Sequence, residues 1–307
     1  MSNPAASFEP HRRRLLGLAY RMLGSIADAE DAVQETYLRW HAADREKVSD
    51  PRAFLMTTTT RICLDMLTSA RARREEYVGP WLPEPVVDTA ALASDSRTEL
   101  AEDLSIALLL TLDRLSPLER AAFLLHDVFD FSFSEVAATL QRSEAACRQL
   151  AARARSHVRA ARPRGTASPP ARPGKIDEKH AQLISAFVAA ARSGDLHALT
   201  QLLASDAHLE TDGGGKAAAA LNVLDGADRV GRFLAGATRK GWREDFTLRF
   251  AMINGLPGII VDGPEGPVQT TAFEIEGGVI RALYAVRNPD KLRHLAAAPA
   301  PHVSHRD

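Results

Sequence analysis

The stretch SFSEVAATLQRSEAACRQLAARARSHVRAA, residues 132–161, has the pattern of two helices joined by a short turn. Ser132 and Glu135 have the spacing of a helix start, and the apolar positions after them predict a helix that ends near Leu140. A three-residue turn follows, and its last residue, Ser143, is a favourable cap for a second and longer helix. A short helix, a tight turn and a long helix are the lengths typical of a helix-turn-helix.

Charge is distributed unevenly along the second helix. Seven arginines and a single acidic residue occur between positions 142 and 164. A stripe of cations can neutralise DNA phosphates, and short side chains at the start of such a helix can reach base edges. The alternative interpretation is a solvated helical face, but the turn, the cap and the charge together favour DNA binding. The predicted base readers are Ser143, Glu144, Arg148 and Gln149, the predicted phosphate contacts are Arg153, Arg155 and Arg159, and the predicted buried residues are Ala146, Leu150 and Ala154.

Helical patterns also extend toward the N-terminus. Apolar residues recur at three- and four-residue steps between 29 and 40, with an acidic face between 28 and 35. Asp50 and Pro51 predict the start of another helix, which ends in a basic run at 71–74. The residues predicted to be buried in this helix are Leu55, Thr58, Ile62 and Met66.

Two compositional breaks divide the chain. Residues 77–96 contain three prolines and no basic residue, and residues 163–174 contain four prolines and two glycines. Such stretches are typical of linkers. Between them, residues 100–112 predict an apolar core helix, and the sequence SPLE at 116–119 predicts a capping box at the start of the next helix.

After the second break, the pattern becomes that of a separate α+β domain. Helices are predicted at 177–192 and 196–204. Strand-like runs follow them and are separated by Gly and Pro turns. The predicted strands are 207–211, 246–253, 258–261, 268–275 and 279–286.

Composition excludes several classes of protein. The chain has 307 residues, which suits two or three domains, and its formal net charge of −1 predicts nothing about partners. It has no apolar run of the ~20 residues needed to span a bilayer and no signal-peptide pattern. Cys63 and Cys147 lie in amphipathic patterns without a CxxC pair, so we expect no disulfide framework, no metal site and no cofactor. We therefore expect a reduced, cytoplasmic protein.

Residues 115–160 resemble region four of the extracytoplasmic-function class of sigma factors, in which this long helix reads the upstream promoter element. The segment GSIADAEDAVQETYLRW, residues 24–40, is similar to the polymerase-binding helix in region two of the same family. The resemblance implies a transcription initiation factor that docks on core RNA polymerase and reads promoter DNA. The implied polymerase contacts, for which a solvated acidic face is the alternative, are Asp28, Asp31, Gln34 and Glu35.

The segment DPRAFLMTTTTRICLDMLTSARARRE, residues 50–75, resembles the family helix that melts and captures the downstream promoter element. A flipped base needs a polar pocket, and an exposed strand needs cations beside it. The resemblance places the pocket at Thr60, Arg61 and Asp65. The alternative for Arg61 and Asp65 is an i,i+4 surface pair worth ~0.3 kcal/mol. The implied strand contacts are Arg71, Arg73 and Arg74.

Three short motifs narrow the resemblance: WLPEP at 81–85, DGGGK at 212–216 and NPDKL at 288–292. Together and in this order they resemble the subgroup of sigma factors that carries a C-terminal SnoaL-like domain. In that subgroup, the appended domain is expected to regulate the sigma domains through intramolecular contact. The implied regulatory residues are Trp81, Leu82, Pro83, Glu84, Pro85, Asp212, Gly213, Gly214, Gly215, Lys216, Asn288, Pro289, Asp290, Lys291 and Leu292.

The resemblance also implies a fold class and domain boundaries. The fold class is multidomain, with two all-α helical sigma domains, the second containing the helix-turn-helix, and a C-terminal α+β SnoaL-like cone. Such a cone is a curved mixed sheet wrapped by helices. The implied boundaries are 1–76 for region two, 77–96 for an acidic linker, 97–164 for region four, 165–175 for a Pro-rich linker, 176–295 for the SnoaL-like domain and 296–307 for a flexible tail.

Each motif has a simpler interpretation. DGGGK lacks the GxxxxGK[ST] spacing of a phosphate loop, so we expect a loop that contacts another domain. WLPEP offers apolar area on an extended, Pro-restricted segment, which suits a docking strip, but a plain spacer is the alternative. NPDKL could simply terminate the last strand, because Asn-Pro favours a turn.

Two other functions remain open from the sequence. The residues Asp206, His208, Glu210 and Asp212 alternate along a predicted strand, and a polar face lining a cavity could form an acid–base pair for an isomerase or cyclase. The simpler alternative is that this polar face meets solvent or the sigma modules. Binding of an unknown small ligand in such a cavity is a further alternative. A ligand-sensing helix-turn-helix repressor would explain residues 132–161, but it would not explain the acidic helix followed by a basic one near the N-terminus.

Overall fold

The structure, a computed structural model, describes residues 4–75, 77–87, 104–161 and 176–297. The side chains of 69–75, 161, 239–240 and 297 lie outside this description, as do the predicted linker 165–175 and the tail from 298 onward. The chain divides into two compact units. The first comprises Met1–Tyr77, Asp88–Pro173 and Asn254–Leu256, and the second comprises Val78–Val87, Gly174–Ile253 and Pro257–Asp307.

Helices build the first unit. They are α1 Pro4–Leu23, α2 Ile26–Ala42, α3 Pro51–Glu75, α4 Ile106–Asp113, α5 Pro117–Phe123, α6 Phe133–Leu140 and α7 Glu144–Ala161, and α5 continues into one π-helical turn at Leu124–Val128. Side-chain caps explain several starts: Ser116 with Glu119, and Ser132 with Glu135, each form a complete capping box. The predicted capping box at 116–119 is therefore confirmed.

The core of the first three helices forms around Trp40, which is 2% exposed and whose Nε1 donates to the carbonyl of Pro4 at 3.2 Å. In α3, the predicted residues Leu55 and Ile62 are buried, while Thr58 and Met66 are half-buried. The buried surface of α3 is wider than predicted. It also includes Thr59 and Thr60, whose hydroxyls donate to the carbonyls of Leu55 and Met56.

The buried face of α7 differs from the predicted one. The residues that face the core are Cys147, Ala151, Ala154 and Val158, whereas Ala146 and Leu150 are only half-buried. The prediction was correct for Ala154 and wrong by one position for Ala146 and Leu150. An alanine-rich helix leaves several stripes with similar apolar content, and the period alone does not choose between them.

The second unit is a six-stranded sheet with helices packed against it. Its elements are α8 Glu178–Ser193, α9 Leu196–Leu202, β1 Leu203–Asp212, β2 Leu224–Asp225, α10 Ala227–Gly241, β3 Thr247–Ile253, β4 Leu256–Gly263, β5 Gly266–Glu276 and β6 Val279–Val286. The strand order is β2-β1-β6-β5-β4-β3. Strand β1 pairs parallel to β6, while β4, β5 and β6 form antiparallel pairs, so the sheet is mixed as expected.

Two elements of this unit were not predicted from the sequence: the short strand β2 and the helix α10. Helix α10 contains Gly231 and Gly236, which lower helix propensity and obscure its apolar stripe. A Cβ at Gly231 would lie 2.9 Å from the side chain of Leu196, so the glycine permits close packing of α10 on α9. Within the part of the chain that the structure describes, no helix is long and apolar enough to cross a membrane.

Candidate functional site

The exposed face of α2 carries the predicted polymerase contacts. Asp31 and Gln34 are exposed, and Asp28 and Glu35 are half-buried. Glu35 accepts from Arg39 at 2.8 Å and forms an exposed i,i+4 ion pair with it. The four predicted residues therefore lie on one solvent-facing surface, opposite the face that packs on α1 and α3.

The same face of α2 holds one residue that the sequence analysis did not select. Leu38 is 53% exposed, four positions after Gln34 and seven after Asp31, so it belongs to the same helical stripe. A single exposed aliphatic side chain is common on protein surfaces, so Leu38 is of interest because it adjoins the predicted contacts. The interruption of the acidic face by leucine could have identified it. We refer to Asp31, Gln34 and Leu38 as the α2 face.

The predicted base readers lie at the N-terminal end of α7. Ser143 caps the helix by accepting from the N–H of Ala146 at 3.2 Å, and Arg148 and Gln149 are exposed. Arg148 pairs with Glu144 at 2.5 Å, and its guanidinium lies 5.4 Å from the centroid of the Phe133 ring. This end of the helix therefore presents oriented polar groups to solvent, which suits contact with base edges.

The predicted phosphate contacts on α7 do not share one environment. Arg159 is exposed, and Arg153 is 63% exposed although it pairs with Glu119 at 3.1 Å. Arg155 is directed inward, and its Nε donates to Asp127 at 2.6 Å. Because this ion pair ties α7 to the π-helical turn, we expect Arg155 to have a structural role in place of the predicted phosphate contact.

A matched pair of substitutions separates these roles. Arg159→Ala should weaken DNA binding about equally for all sequences and reduce the slope of log K against log salt by about 1. Arg155→Ala should leave that slope unchanged and instead lower the free energy of unfolding by about 1–3 kcal/mol, because the half-buried Asp127 loses its cation. Fluorescence anisotropy at several salt concentrations and urea titration measure the two effects. A reduced slope in Arg155→Ala would contradict this assignment.

The predicted downstream-element pocket is not assembled on an exposed surface. Thr60 is fully buried, so it faces the core and not a base. Arg61 donates to the carbonyls of Thr139 and Ala138, both at 3.0 Å, at the C-terminal end of α6. Asp65 is exposed, and no ion pair joins it to Arg61 within the described residues. The side chains of Arg71, Arg73 and Arg74 lie outside those residues.

Helix α3 and the helix-turn-helix pack together in the first unit. The hydroxyl oxygens of Thr57 and Thr139 are 2.9 Å apart. Arg52 donates to the carbonyl of Phe129 at 2.8 Å, and its guanidinium lies 5.3 Å from the centroid of the Phe131 ring. The helix expected to read the downstream element is therefore held against the module expected to read the upstream one. We call this contact the α3–α6 interface.

The three short motifs converge in the second unit around one buried ion pair. Lys291 Nζ lies 2.7 Å from Oδ2 of Asp212, and the two side chains are 9% and 0% exposed. The same carboxylate oxygen accepts from the backbone N–H of Leu82 at 2.8 Å, and Lys291 also donates to the carbonyl of Leu82. WLPEP, DGGGK and NPDKL each contribute one of these residues, which we call the motif cluster.

Further contacts hold the WLPEP segment in the second unit. Lys291 Nζ lies 4.2 Å from the centroid of the Trp81 ring, which is a cation–π distance. Nε2 of His294 is 2.7 Å from the carbonyl oxygen of Pro85, a contact that the sequence analysis missed. Residues 82–86 are all buried. The segment is therefore a bound strip and not an exposed spacer.

The DGGGK loop closes the rim of the motif cluster. Lys216 forms an ion pair with Asp290, and this hydrogen bond lowers the pKa of the Asp290 carboxyl. Gly213 has a steric role, because a Cβ there would lie 2.2 Å from the carbonyl oxygen of Ala217. The glycine therefore permits a tight turn that aims Lys216 at the NPDKL motif.

The NPDKL motif follows β6 and begins the 3₁₀ turn Pro289–Lys291. The backbone N–H groups of Arg287 and Asn288 donate to the carbonyl of Asp212 at 2.7 and 3.0 Å. The motif thus ends the last strand, as its simpler interpretation predicted. It also supplies Lys291 to the motif cluster.

The alternating polar residues of β1 lie on the face of the strand opposite the cavity of this domain. Leu209 and Thr211, on the opposite face of the strand, line the cavity of this domain. Asp206 instead pairs with Arg281 at 2.8 Å, and Asp212 belongs to the motif cluster. The polar face considered for acid–base chemistry, which consists of Asp206, His208, Glu210 and Asp212, is therefore directed away from the cavity.

Comparison with known proteins identifies both predicted sigma regions. Family models for Sigma-70 region 2 and Sigma-70, region 4 match residues 8–73 and 105–158. The ECF RNA polymerase sigma factor SigJ of Mycobacterium tuberculosis is 41% identical over 298 residues, which cover 93% of this chain and 92% of that protein. The probable ECF RNA polymerase sigma factor SigI of the same species is 31% identical over 296 residues, covering 95% of this chain and 96% of the relative.

A solved structure extends this similarity to three dimensions. The crystal structure of the M. tuberculosis extracytoplasmic function sigma factor SigJ matches with a TM-score of 0.67 and 37% sequence identity, covering 94% of this chain and 98% of that one. Fold, motifs and relatives define a transcription initiation factor of the sigma type. The chain belongs to the extracytoplasmic-function RNA polymerase sigma factors. Helical sigma domains followed by a SnoaL-like domain, the expected fold class, are confirmed.

Proposed function

We propose that this sigma factor binds core RNA polymerase through the α2 face, reads the upstream promoter element through α7, and is regulated by its own C-terminal unit. The reaction has no covalent step in the sigma factor, because its task is to position polymerase on DNA. Since polymerase and chromosome share the cytoplasm, we propose that location. One observation carries the regulatory part: the segment between the two DNA-reading modules is buried in the motif cluster.

The α2 face suits a polymerase contact because it combines acidic, amide and aliphatic side chains on one exposed stripe. Asp31 and Gln34 supply charge and hydrogen-bonding capacity, and Leu38 supplies apolar area that water solvates poorly. Interfaces of this kind usually depend on a few central residues. The helix core behind the face, including Trp40, holds the stripe rigid.

A double substitution tests the α2 face. Asp31→Ala with Leu38→Ala should weaken core polymerase binding about tenfold or more, because each removes an exposed side chain from the stripe. Lys47→Ala is the matched control in the same module, since Lys47 forms only an exposed pair with Asp44. Affinity for core polymerase by surface plasmon resonance, with circular dichroism of each variant, measures the effect. Equal affinity of the double variant and the control would refute the assignment.

The α3–α6 interface adds a step to the proposed mechanism. Arg61 cannot touch a flipped base while it binds the carbonyls of Ala138 and Thr139. A bound promoter presents its two elements at separate places, so α3 and the helix-turn-helix must part before both are read. We propose that polymerase binding provides the differential affinity that shifts this equilibrium.

The motif cluster supports regulation because its residues come from distant parts of the sequence. Leu82 lies between the two sigma regions, whereas Asp212 and Lys291 lie in the C-terminal part of the sequence. Any change in the cluster is therefore transmitted to the linker that joins the two modules. Run-off transcription with core polymerase and a genomic promoter library tests both parts of the proposal.

Full-length protein should direct initiation from at least one promoter, and truncation after residue 164 should change that activity. If no promoter responds to either protein, the proposed promoter reading fails. If both proteins give equal transcript levels at every responsive promoter, the regulatory role of the C-terminal unit fails while promoter reading stands. The direction of the change shows whether the C-terminal unit activates or inhibits.

A further inference from the structure

The second unit encloses a cavity of about 130 Å³ between one face of its sheet and the helices α8 and α10. Side chains at every second position of the strands line it, including Leu209, Phe273 and Leu283. Phe187 of α8 contributes a ring whose centroid lies 5.4 Å from that of Phe273. Most of the lining is therefore apolar and aromatic, which is typical of small-molecule sites.

The charged residues that line the cavity are all positive. Arg192 and Arg287 are the charged residues that line the cavity, and no acidic side chain lines it in the described part of the chain. Arg192 lies at its outer edge, where its guanidinium is 4.5 Å from the centroid of the Trp242 ring. Both arginines lack an ion-pair partner among the described residues, so the cavity carries uncompensated positive charge.

Arg287 is the more constrained of the two cations. It donates through Nη1 to the carbonyl of Ala218, while its buried Nε has no hydrogen-bond partner among the described residues. Burial lowers the pKa of this guanidinium from its ordinary range, which means that the cation is incompletely solvated where it lies. An anion in the cavity beside this guanidinium would supply the missing countercharge.

A hydroxyl group lies on the same side of the sheet. Thr271 pairs with Ala285 across β5 and β6, and Arg287 stands two residues beyond Ala285 on the same face. Oγ1 of Thr271 accepts a hydrogen bond from Nε2 of Gln269 at 2.9 Å. Within the described ranges, the hydroxyl proton of Thr271 has no acceptor. One cation and one hydroxyl donor therefore border an otherwise apolar space.

We propose that this cavity binds a small apolar monocarboxylate, with its carboxylate on Arg287 and its ring or short chain against Phe187, Phe273 and Leu283. The size of the cavity limits the ligand, since an apolar cavity of about 150 Å³ accommodates benzene. A single ring or a short alkyl chain fits, and a larger ligand would extend past Trp242 to solvent. This inference goes beyond the proposed function and does not depend on it.

Calorimetric titration of the full-length protein tests the proposal with two probes of the same shape, benzoate and benzamide. Benzoate should bind with a Kd on the order of 1 mM or below and about tenfold more tightly than the neutral amide. In Arg287→Met, which keeps the apolar length and removes the charge, the two probes should bind within about twofold of each other. Arg281→Met is the matched control, because Arg281 lies on β6, which ends just before Arg287, but pairs with Asp206 and Glu276 outside the cavity.

A cavity-filling variant locates the site. Ala285→Leu places a larger side chain in the space, so binding of both probes should be lost while the unfolding transition persists. The proposal is overturned if the wild-type protein binds both probes equally, if neither binds at about 10 mM, or if Ala285→Leu leaves binding unchanged. It is also overturned if Arg287→Met retains the preference for benzoate. Because benzamide reports an intact cavity, a folding defect in Arg287→Met is distinguishable from loss of charge recognition.

Discussion

Replacing Lys291 with methionine should lower the free energy of unfolding of the second unit by about 3–5 kcal/mol. Asp212 is fully buried, and its carboxylate lies 2.7 Å from Lys291 Nζ. Removing the cation leaves a buried negative charge without its partner, which costs far more than the loss of an exposed pair. The carbonyl of Leu82 and the ring of Trp81 lose the same cation, so the WLPEP segment should become sensitive to proteolysis.

Urea denaturation followed by tryptophan fluorescence and limited proteolysis at residues 78–87 measure the effect. Lys216→Met is the matched control, because it breaks the exposed pair with Asp290 and should cost about 1 kcal/mol or less. The double variant Lys291→Met with Asp212→Asn should recover most of the loss, since no uncompensated charge remains. A loss in Lys291→Met no larger than that in Lys216→Met would show that the buried pair does not hold the motif cluster together.

Locking the α3–α6 interface should abolish promoter-dependent transcription. The hydroxyl oxygens of Thr57 and Thr139 are 2.9 Å apart, so cysteines at these positions need only a small shift to reach the ~2.0 Å of a disulfide. Thr57→Cys with Thr139→Cys, once oxidised, should lose at least about 90% of run-off transcription. The disulfide holds α3 against α6, and binding to polymerase cannot separate the two helices while it is intact. The native Cys63 and Cys147 are buried, and burial raises the pKa of both thiols, so they compete poorly for oxidation.

Reduction with dithiothreitol provides the control within the same sample, and activity should return to the level of the unoxidised protein. Each single cysteine variant, treated with the same oxidant, should stay active. Gel mobility under non-reducing conditions reports the extent of crosslinking. Full transcription by crosslinked protein would show that α3 and the helix-turn-helix do not need to separate.

Much of this architecture follows from local chemistry that a sequence displays. Ser116 and Ser132 begin helices because their hydroxyls and the glutamates three positions later satisfy free backbone groups. Five of the six strands that the structure describes in the second unit were predicted within a few residues, because β-branched and aromatic runs between glycine turns leave little choice. The three motifs were identified as a set, although their meeting at Asp212 and Lys291 is visible only in three dimensions.

Features that depend on tertiary packing were predicted less well. Thr60 is polar and was assigned to an exposed pocket, but its hydroxyl is satisfied by the carbonyl of Met56, which removes the cost of burying it. Arg61 was expected to face DNA or Asp65, whereas the end of α6 offers it two carbonyl acceptors, from Ala138 and Thr139, almost eighty positions away. On β1, the alternation was predicted but left open which face meets the cavity; Leu209 and Thr211 line it.

Arg287 joins two neighbourhoods that are otherwise separate. Its backbone N–H donates to the carbonyl of Asp212 in the motif cluster, and its side chain lines the cavity. Arg287 therefore takes part both in docking of the WLPEP segment and in the proposed ligand binding. Thermodynamic linkage between two such equilibria is reciprocal. If a bound ligand changes the docking equilibrium of the WLPEP segment by some factor, docking of the segment changes the affinity for that ligand by the same factor. If the proposed carboxylate occupies the cavity, its concentration would therefore change the fraction of protein in which the WLPEP segment is docked.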